Sequence, residues 1–452
     1  MMKNIILIFS LLLSTSLFAQ IEGTWNGNIE IPMNKLPFVL HISNKNNGLK
    51  ATFDSPNQGG FGLEIPEIRF EDNTLYLKHP QMMMNYEGKL ENDVINGTFT
   101  QGSQSFTLNL TKGKFKRNRP QEPQSPFDYH SEDITFENKE DGINLAGTLT
   151  LPKGNGKFPA VVLVSGSGPQ DRNEEIRGHK PFLVLSDYFT THGYAVLRYD
   201  KRGIAESGGN YSLATVFDFA NDTKAAIEYL KNRKEIDSKK IGVLGHSEGG
   251  QVAQIIASED KSLNFIILMA APGTTGDEIL LYQTKILAEA SNLSQSETKE
   301  ILDENQSIYE IIKRNNDIEK IKLELISYFK SNPNYSTLSD EQINEKSASL
   351  STNWMKEFIQ FNPQNYLAKI DCNVLAINGT KDIQVPSVEN LAGITKELGV
   401  KGNLDIISYD GLNHMFQPAQ TGLPDEYGTI ETTIEPKVLE DIVKWLNEKV
   451  KY

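Results

Sequence analysis

The chain has 452 residues and a formal net charge of −14 at pH 7, with an isoelectric point near 5.1. The length suggests two domains. The acidic balance argues against nucleic acid or an anionic membrane surface as a partner, and disfavours a strongly anionic substrate unless a local basic site overrides it. A composition of 38% hydrophobic and 23% charged residues suits a soluble globular protein.

The chain opens on what reads as a secretory signal, residues 1–19. Lys3 gives the basic region, residues 5–13 the apolar region, and Ala19 before Gln20 a cleavage site. The apolar run is short for a membrane span of about 20 residues, so no integral membrane segment is expected after cleavage. The single cysteine, Cys372, excludes an intramolecular disulfide, and no cysteine at the cleavage site awaits a lipid. The fold must then rest on its core. The expected address is the bacterial periplasm or the exterior.

Residues 20–113 alternate like strands at 23–31, 38–42, 74–78 and 106–110, with turn signals at Asn47-Gly48 and Gly59-Gly60. This predicts a small antiparallel β-domain, a barrel or a sandwich. Trp25 and the triplet Met82-Met83-Met84 are expected in its core, with an apolar ligand site as the alternative. A basic stretch from Lys114 to Pro120, followed by Pro123 and Pro126, predicts a linker over 114–131.

From 132 to 452 strands and helices alternate. Short apolar strands are predicted around Val161, 195–197, Val243, 265–268, Leu375 and Ile406, with helices at 216–230 and 436–450. Pro436 suits a first helical turn. Repeated βα units imply a mostly parallel sheet with helices on both faces. Residues 273–365 are polar and helix-like, too long for a plain crossover, and predict a helical lid. Trp354, Phe358 and Phe361 are expected in the lid's own core, or as walls of an acyl pocket.

The informative motif is Gly245-His246-Ser247-Glu248-Gly249. It follows the apolar run 241–244 and precedes a helix-like run of small residues. Strand, tight turn and helix are the setting of a nucleophile elbow, which exposes its serine at a strand's carboxyl end. Of seven histidines only His414 lies after the elbow, so a general base downstream has one candidate. It sits in a loop past the strand-like run 404–409. For the acid, Asp382 follows strand 374–377 and is the leading candidate. Asp410, in the histidine loop, is the fallback, whereas Asp405 falls inside a strand and Asp371 precedes one. Two backbone donors are needed for an oxyanion. One is the amide of Glu248. The other is expected in the loop Ser165-Gly166-Ser167-Gly168-Pro169, at Ser167 with Gly168 next. His246 is expected to pack, or to touch the lid.

These stretches, with Arg198 to Gly203 and Glu206-Ser207-Gly208, resemble the α/β-hydrolase superfamily. Within it they resemble bacterial secreted esterases of the dienelactone-hydrolase-like and acylaminoacyl-peptidase-like group. The resemblance runs from about Ile134 to the C-terminus. It implies Ser247 as nucleophile, Asp382 as acid and His414 as base, acting on carboxylic esters or other small acyl substrates through an acyl-enzyme, without metal or organic cofactor. Two rivals remain. An exopeptidase or amidase of the prolyl-oligopeptidase type would use Glu174-Glu175 to bind an amine, against the expectation that these are solvated loop charges. A binding protein would carry an inert hydrolase domain.

Overall fold

The computed structural model describes residues 20–31, 34–45, 48–58, 60–115 and 118–450. The expected signal segment, Asn47 and Gly59 of the two turn signals, and Lys116-Arg117 of the expected linker lie outside the described residues. The chain divides into two compact units. One runs to Asn118 and takes in Asp425–Glu431, and the other comprises Arg119–Pro424 and Thr432–Tyr452.

The first unit is one antiparallel sheet. Its strands are β1 (Gly23–Ile31), β2 (Asn34–Lys45), β3 (Gly48–Ser55), β4 (Gly60–Ile65), β5 (Glu67–Glu71), β6 (Thr74–His79), β7 (Met84–Glu91), β8 (Val94–Gln101), β9 (Gln104–Thr107) and β10 (Leu110–Lys112). Their order is β4-β3-β2-β1-β10-β8-β7-β6-β5, with β9 also on β8. Alternate residues point inward and make one core, including Trp25, Phe38, Leu40, Leu75, Tyr86 and Ile95. The indole of Trp25 also donates to the Ile21 carbonyl at 2.8 Å. The methionine triplet divides. Met84 is in the core, but Met82 and Met83 are exposed, because a 3-10 turn at Pro80–Met82 interrupts the strand period. Met82 and Met84 also line an apolar cavity of about 280 Å³ with Phe38, Phe53, Phe99 and Phe106.

The expected strand at 106–110 is broken at Leu108-Asn109. The pairing of Thr107 with Thr98 and of Leu110 with Ile95 keeps one register. In the gap the Asn109 side chain, not its backbone, accepts the Gly97 N–H at 3.2 Å.

The second unit is built on eight strands: β11 (His130–Asn138), β12 (Ile143–Leu151), β13 (Phe158–Val164), β14 (Ala195–Tyr199), β15 (Ile236–His246), β16 (Phe265–Met269), β17 (Asn373–Gly379) and β18 (Leu404–Tyr409). Their order, β11-β12-β14-β13-β15-β16-β17-β18, is parallel from β14 onward, with β11 and β12 antiparallel at one edge. That is the α/β-hydrolase sheet. Sequence patterning missed β11 and β12, since much of β11 faces solvent and its apolar positions are sparse, while the buried run of β12 is interrupted by Gly147, Thr148 and Thr150. The central strands are apolar on both faces because helices cover both. One face packs α2 (Val216–Lys231) and α3 (Glu248–Glu259) on Val162, Val243 and Ile266. The other packs α1 (Pro181–Thr191) and α11 (Pro436–Lys449) on Val161, Leu244 and Ile267. Between β17 and β18 runs α10 (Ser387–Leu398).

Between β16 and β17 lies the helical insertion: α4 (Gly276–Ala290), α5 (Gln295–Lys313), α6 (Ile318–Ser331), α7 (Asp340–Leu350), α8 (Asn353–Gln360) and the single turn α9 (Gln364–Leu367). Reciprocal Ser294–Glu297 and Ser339–Gln342 capping boxes start α5 and α7. The insertion has a core of its own around Ile308, Ile312, Leu325, Phe329 and Ile359. The three aromatics expected there are elsewhere. Phe361 joins the main core, and Trp354 and Phe358 stack at 5.1 Å over a small void shared with Val216, Glu248 and Gln251. The reason is that α8 presents two faces, and the aromatic face turns to α3. Among the described residues no helix is long and apolar enough to cross a membrane.

Candidate active site

The turn between β15 and α3 is too tight for side chains. A Cβ on Gly245 would stand 2.0 Å from the Gly249 carbonyl oxygen, and one on Gly249 would stand 2.0 Å from that of Val164. Only glycine fits either place. Between them Ser247 adopts φ 53° and ψ −119°, a strained conformation for a residue with a side chain. Its amide donates to Met269 O at 2.9 Å. The strain is held by α3, whose Val252, Ile255 and Ile256 are all buried, each worth about 1.5–3 kcal/mol of burial.

Asp382 and His414 come from the loops after β17 and β18. His414 Nδ1 lies 2.8 Å from Asp382 Oδ2, and both residues are buried. Asp382 Oδ1 accepts the amides of Gln384 and Val385 at 2.8 and 2.9 Å, so its carboxylate is satisfied while aimed at the ring. Asn413 Oδ1 accepts the amides of Met415 and Gln417 at 2.9 and 3.0 Å, which fixes the loop carrying His414. The other acids are engaged elsewhere. Asp410 accepts Thr380 Oγ1, Asp405 pairs with Trp445 and Lys449, and Asp371 with Lys261 and Lys401. The structure thus joins His414 to Asp382 by a hydrogen bond. It joins neither to Ser247 by one.

The loop after β13 runs against the elbow. A Cβ on Gly166 would lie 3.1 Å from Ser247 Cβ. The Gly166 amide donates to Glu174 Oε1 at 2.5 Å and the Gly168 amide is turned to the Tyr211 phenol. Ser167 lies between them, exposed. Among the described residues neither the Ser167 nor the Glu248 amide donates to the backbone.

Five side chains at this site have contacts that were not anticipated. Lys201 and Glu248 form a buried ion pair at 2.7 Å. Lys201 Nζ also donates to Gly166 O at 2.6 Å and lies 4.3 Å from the Phe219 ring centroid. Trp354 Nε1 donates to the other Glu248 oxygen at 2.7 Å. Glu174, expected among solvated charges, is 1% exposed. His246, expected to pack or meet the lid, spans polar partners: Nδ1 is 3.0 Å from Glu174 Oε1 and Nε2 is 3.0 Å from the His414 carbonyl oxygen. Burial works against a proton on His246, but Glu174 favours it, and the balance raises its pKa above that of ordinary imidazole. A glutamate doublet in a loop carries no sign of burial in sequence. Its partner, the histidine inside the elbow, was the only available hint. Among the described residues no group of three or more His, Cys, Asp or Glu is placed to hold a metal ion.

Known proteins resemble this arrangement. The EstD esterase of Thermotoga maritima is 29% identical over 317 residues, 69% of this chain and 68% of that protein. Among solved structures, an esterase of Pyrococcus furiosus superposes with a TM-score of 0.43 at 18% identity, over 75% of this chain and 100% of that one. An α/β-hydrolase of Penicillium gives 0.47 at 16% identity, over 72% and 100%. The sequence profile of the X-Pro dipeptidyl-peptidase (S15) family matches residues 141–397, a span that holds Ser247 and Asp382 and ends before His414. With more than half of its length in that match, and with the sheet order described, the chain is an α/β-hydrolase and belongs to the X-Pro dipeptidyl-peptidase (S15) family.

Proposed function

We infer that the protein is a serine hydrolase of carboxylic esters, exported by a signal cleaved after Ala19. The observation that carries the reading is the buried 2.8 Å bond from His414 Nδ1 to Asp382, beside a serine held in the strained turn of an elbow. With its proton on Nδ1, the imidazole has Nε2 free to act as base. His414 takes the Ser247 proton as Oγ attacks the acyl carbon. The amides of Glu248 and Ser167 receive the negative oxygen, in a turn whose helix dipole favours it. His414 then protonates the leaving alkoxide, and water, activated the same way, releases the acid.

An exopeptidase reading has the family match in its favour. Against it, Glu174, the group expected to bind a substrate amine, is enclosed and committed to Gly166 and His246. The kinship with an esterase over 69% of the chain supports the ester reading. Turnover of p-nitrophenyl esters from acetate to decanoate, set against Xaa-Pro p-nitroanilides, tests it. The expected result is kcat/KM for the best ester at least on the order of 10² above that for any anilide. An anilide preference would move the assignment to peptidase.

A further inference from the structure

The Glu174 and His246 side chains are almost fully buried, yet no step above uses them. We propose that Glu174 is a positioning residue. One carboxylate oxygen holds both the Gly166 amide and a doubly protonated His246, and His246 holds the backbone of the base His414. The inference rests on the reading of Ser247, His414 and Asp382 just given.

Gly166 N–H has a fixed direction and donates to Glu174 Oε1 at 2.5 Å. His246 Nδ1 meets the same oxygen at 3.0 Å, and Nε2 meets a carbonyl oxygen at 3.0 Å. A carbonyl offers only lone pairs, so Nε2 carries a proton. With Glu174 ionised its oxygen likewise only accepts, so Nδ1 carries one too, and in the proposed pair the ring is an imidazolium. Three segments distant in sequence are thereby tied at one point: the loop after β13, the elbow and the base loop.

The backbone is shaped for this. Glu174 has φ 52° and Arg177 φ 53°, a left-handed conformation that non-glycine residues seldom adopt. Asp171 Oδ1 accepts the amides of Asn173 and Glu175 at 3.0 and 3.1 Å, and the Phe182 amide donates to Asn173 O at 3.1 Å. These bonds turn the Glu174 carboxylate inward, while Glu175 stays outside near Lys180. Strain retained beside a site is a mark of function.

The charge has a consequence. The His246 ring is 4.8 Å from the His414 ring, centroid to centroid. The charged groups around it are Glu174 on one side and Asp382 beyond His414 on the other, with the Lys201–Glu248 pair across Gly166. The Glu174–His246 pair thus sets the field at the base ring as well as the position of its backbone.

The test uses Glu174→Gln and His246→Gln in the full chain, with Glu174→Asp as the conservative variant. Glu174→Gln is expected to lower kcat for esters on the order of 10², with KM changed less than about threefold. His246→Gln is expected to lower kcat in the same way, and Glu174→Asp to regain part of kcat. Imidazole ¹⁵N spectra of Ser247→Ala are expected to show His246 protonated on both nitrogens up to a higher pH than when Glu174→Gln is added. An unchanged kcat in Glu174→Gln, with His246 losing its second proton at the same pH whether Glu174 is present or not, would overturn the proposal. If the wild-type protein turns over no ester, the hydrolase reading falls, and the spectra still decide the charge of His246.

Discussion

Two buried carboxylates face histidines in this site, and their surroundings set them apart. Asp382 meets Nδ1 of His414, the proposed base. Asp382→Asn keeps volume and backbone bonds but favours the wrong tautomer, so kcat is expected to fall on the order of 10⁴ with thermal stability nearly unchanged. Calorimetry beside kinetics checks this. Gly249 answers to a different constraint. A methyl group there meets the Val164 carbonyl at 2.0 Å, so Gly249→Ala is expected to cost about 1–3 kcal/mol or more by overpacking, read as a loss in urea midpoint. Cys372 is a third case. Burial pushes its thiol up to about 12, so at pH 8 it is neutral and poorly nucleophilic. Native protein should react with a thiol reagent far more slowly than protein in urea. Equal rates would contradict the burial.

At the scale of elements, the helical insertion is tied to the elbow by the Trp354 side chain. Trp354 Nε1 donates to Glu248 Oε1 from α8, while Lys201 holds Oε2. Trp354→Phe keeps the stack on Phe358 but strands one carboxylate oxygen, a loss of about 1–3 kcal/mol. The expected outcome is faster amide exchange along α8 and a changed acyl-length profile, with Ser247 still reactive. Most of the elements themselves were legible in sequence. β18 and α2 declare themselves by apolar runs and helical spacing, and the insertion by its length without strand signals. The elbow, Asp382 and His414 could be named because strand ends and chain order restrict the choices. What was not legible depends on contacts far apart in sequence. The edge strand β11 alternates weakly, Phe361 leaves the insertion for the main core, and Glu174 is enclosed with His246, Met269 and Met415, which are far from it in sequence.

At the scale of the molecule, two properties follow. The first concerns export, which we propose. Ile21 is fully buried and its carbonyl takes the Trp25 indole, so the β-domain is anchored immediately after Gln20. Protein recovered outside the cytoplasm is expected to begin Gln-Ile-Glu-Gly on N-terminal sequencing. An intact Met1 would contradict cleavage there. The second concerns pH and stability. His246 has a raised pKa in the folded state, so folding takes up a proton. Its stabilising contribution is complete below its unfolded pKa of about 6.5, and is lost as pH rises through the folded value. Between those limits wild-type stability is expected to decline with pH more steeply than that of His246→Gln, measured by urea unfolding.

The central claim is that Ser247 is a nucleophile activated by His414. Labelling with a fluorophosphonate probe tests it most directly, on wild-type protein, Ser247→Ala and His414→Ala, with p-nitrophenyl acetate turnover in parallel. The account predicts stoichiometric labelling of wild type at Ser247, none in Ser247→Ala, and a turnover loss on the order of 10⁶ in either variant. A folded wild-type protein that takes no label and turns over no ester would contradict it, and would leave the chain a binding protein on a hydrolase fold.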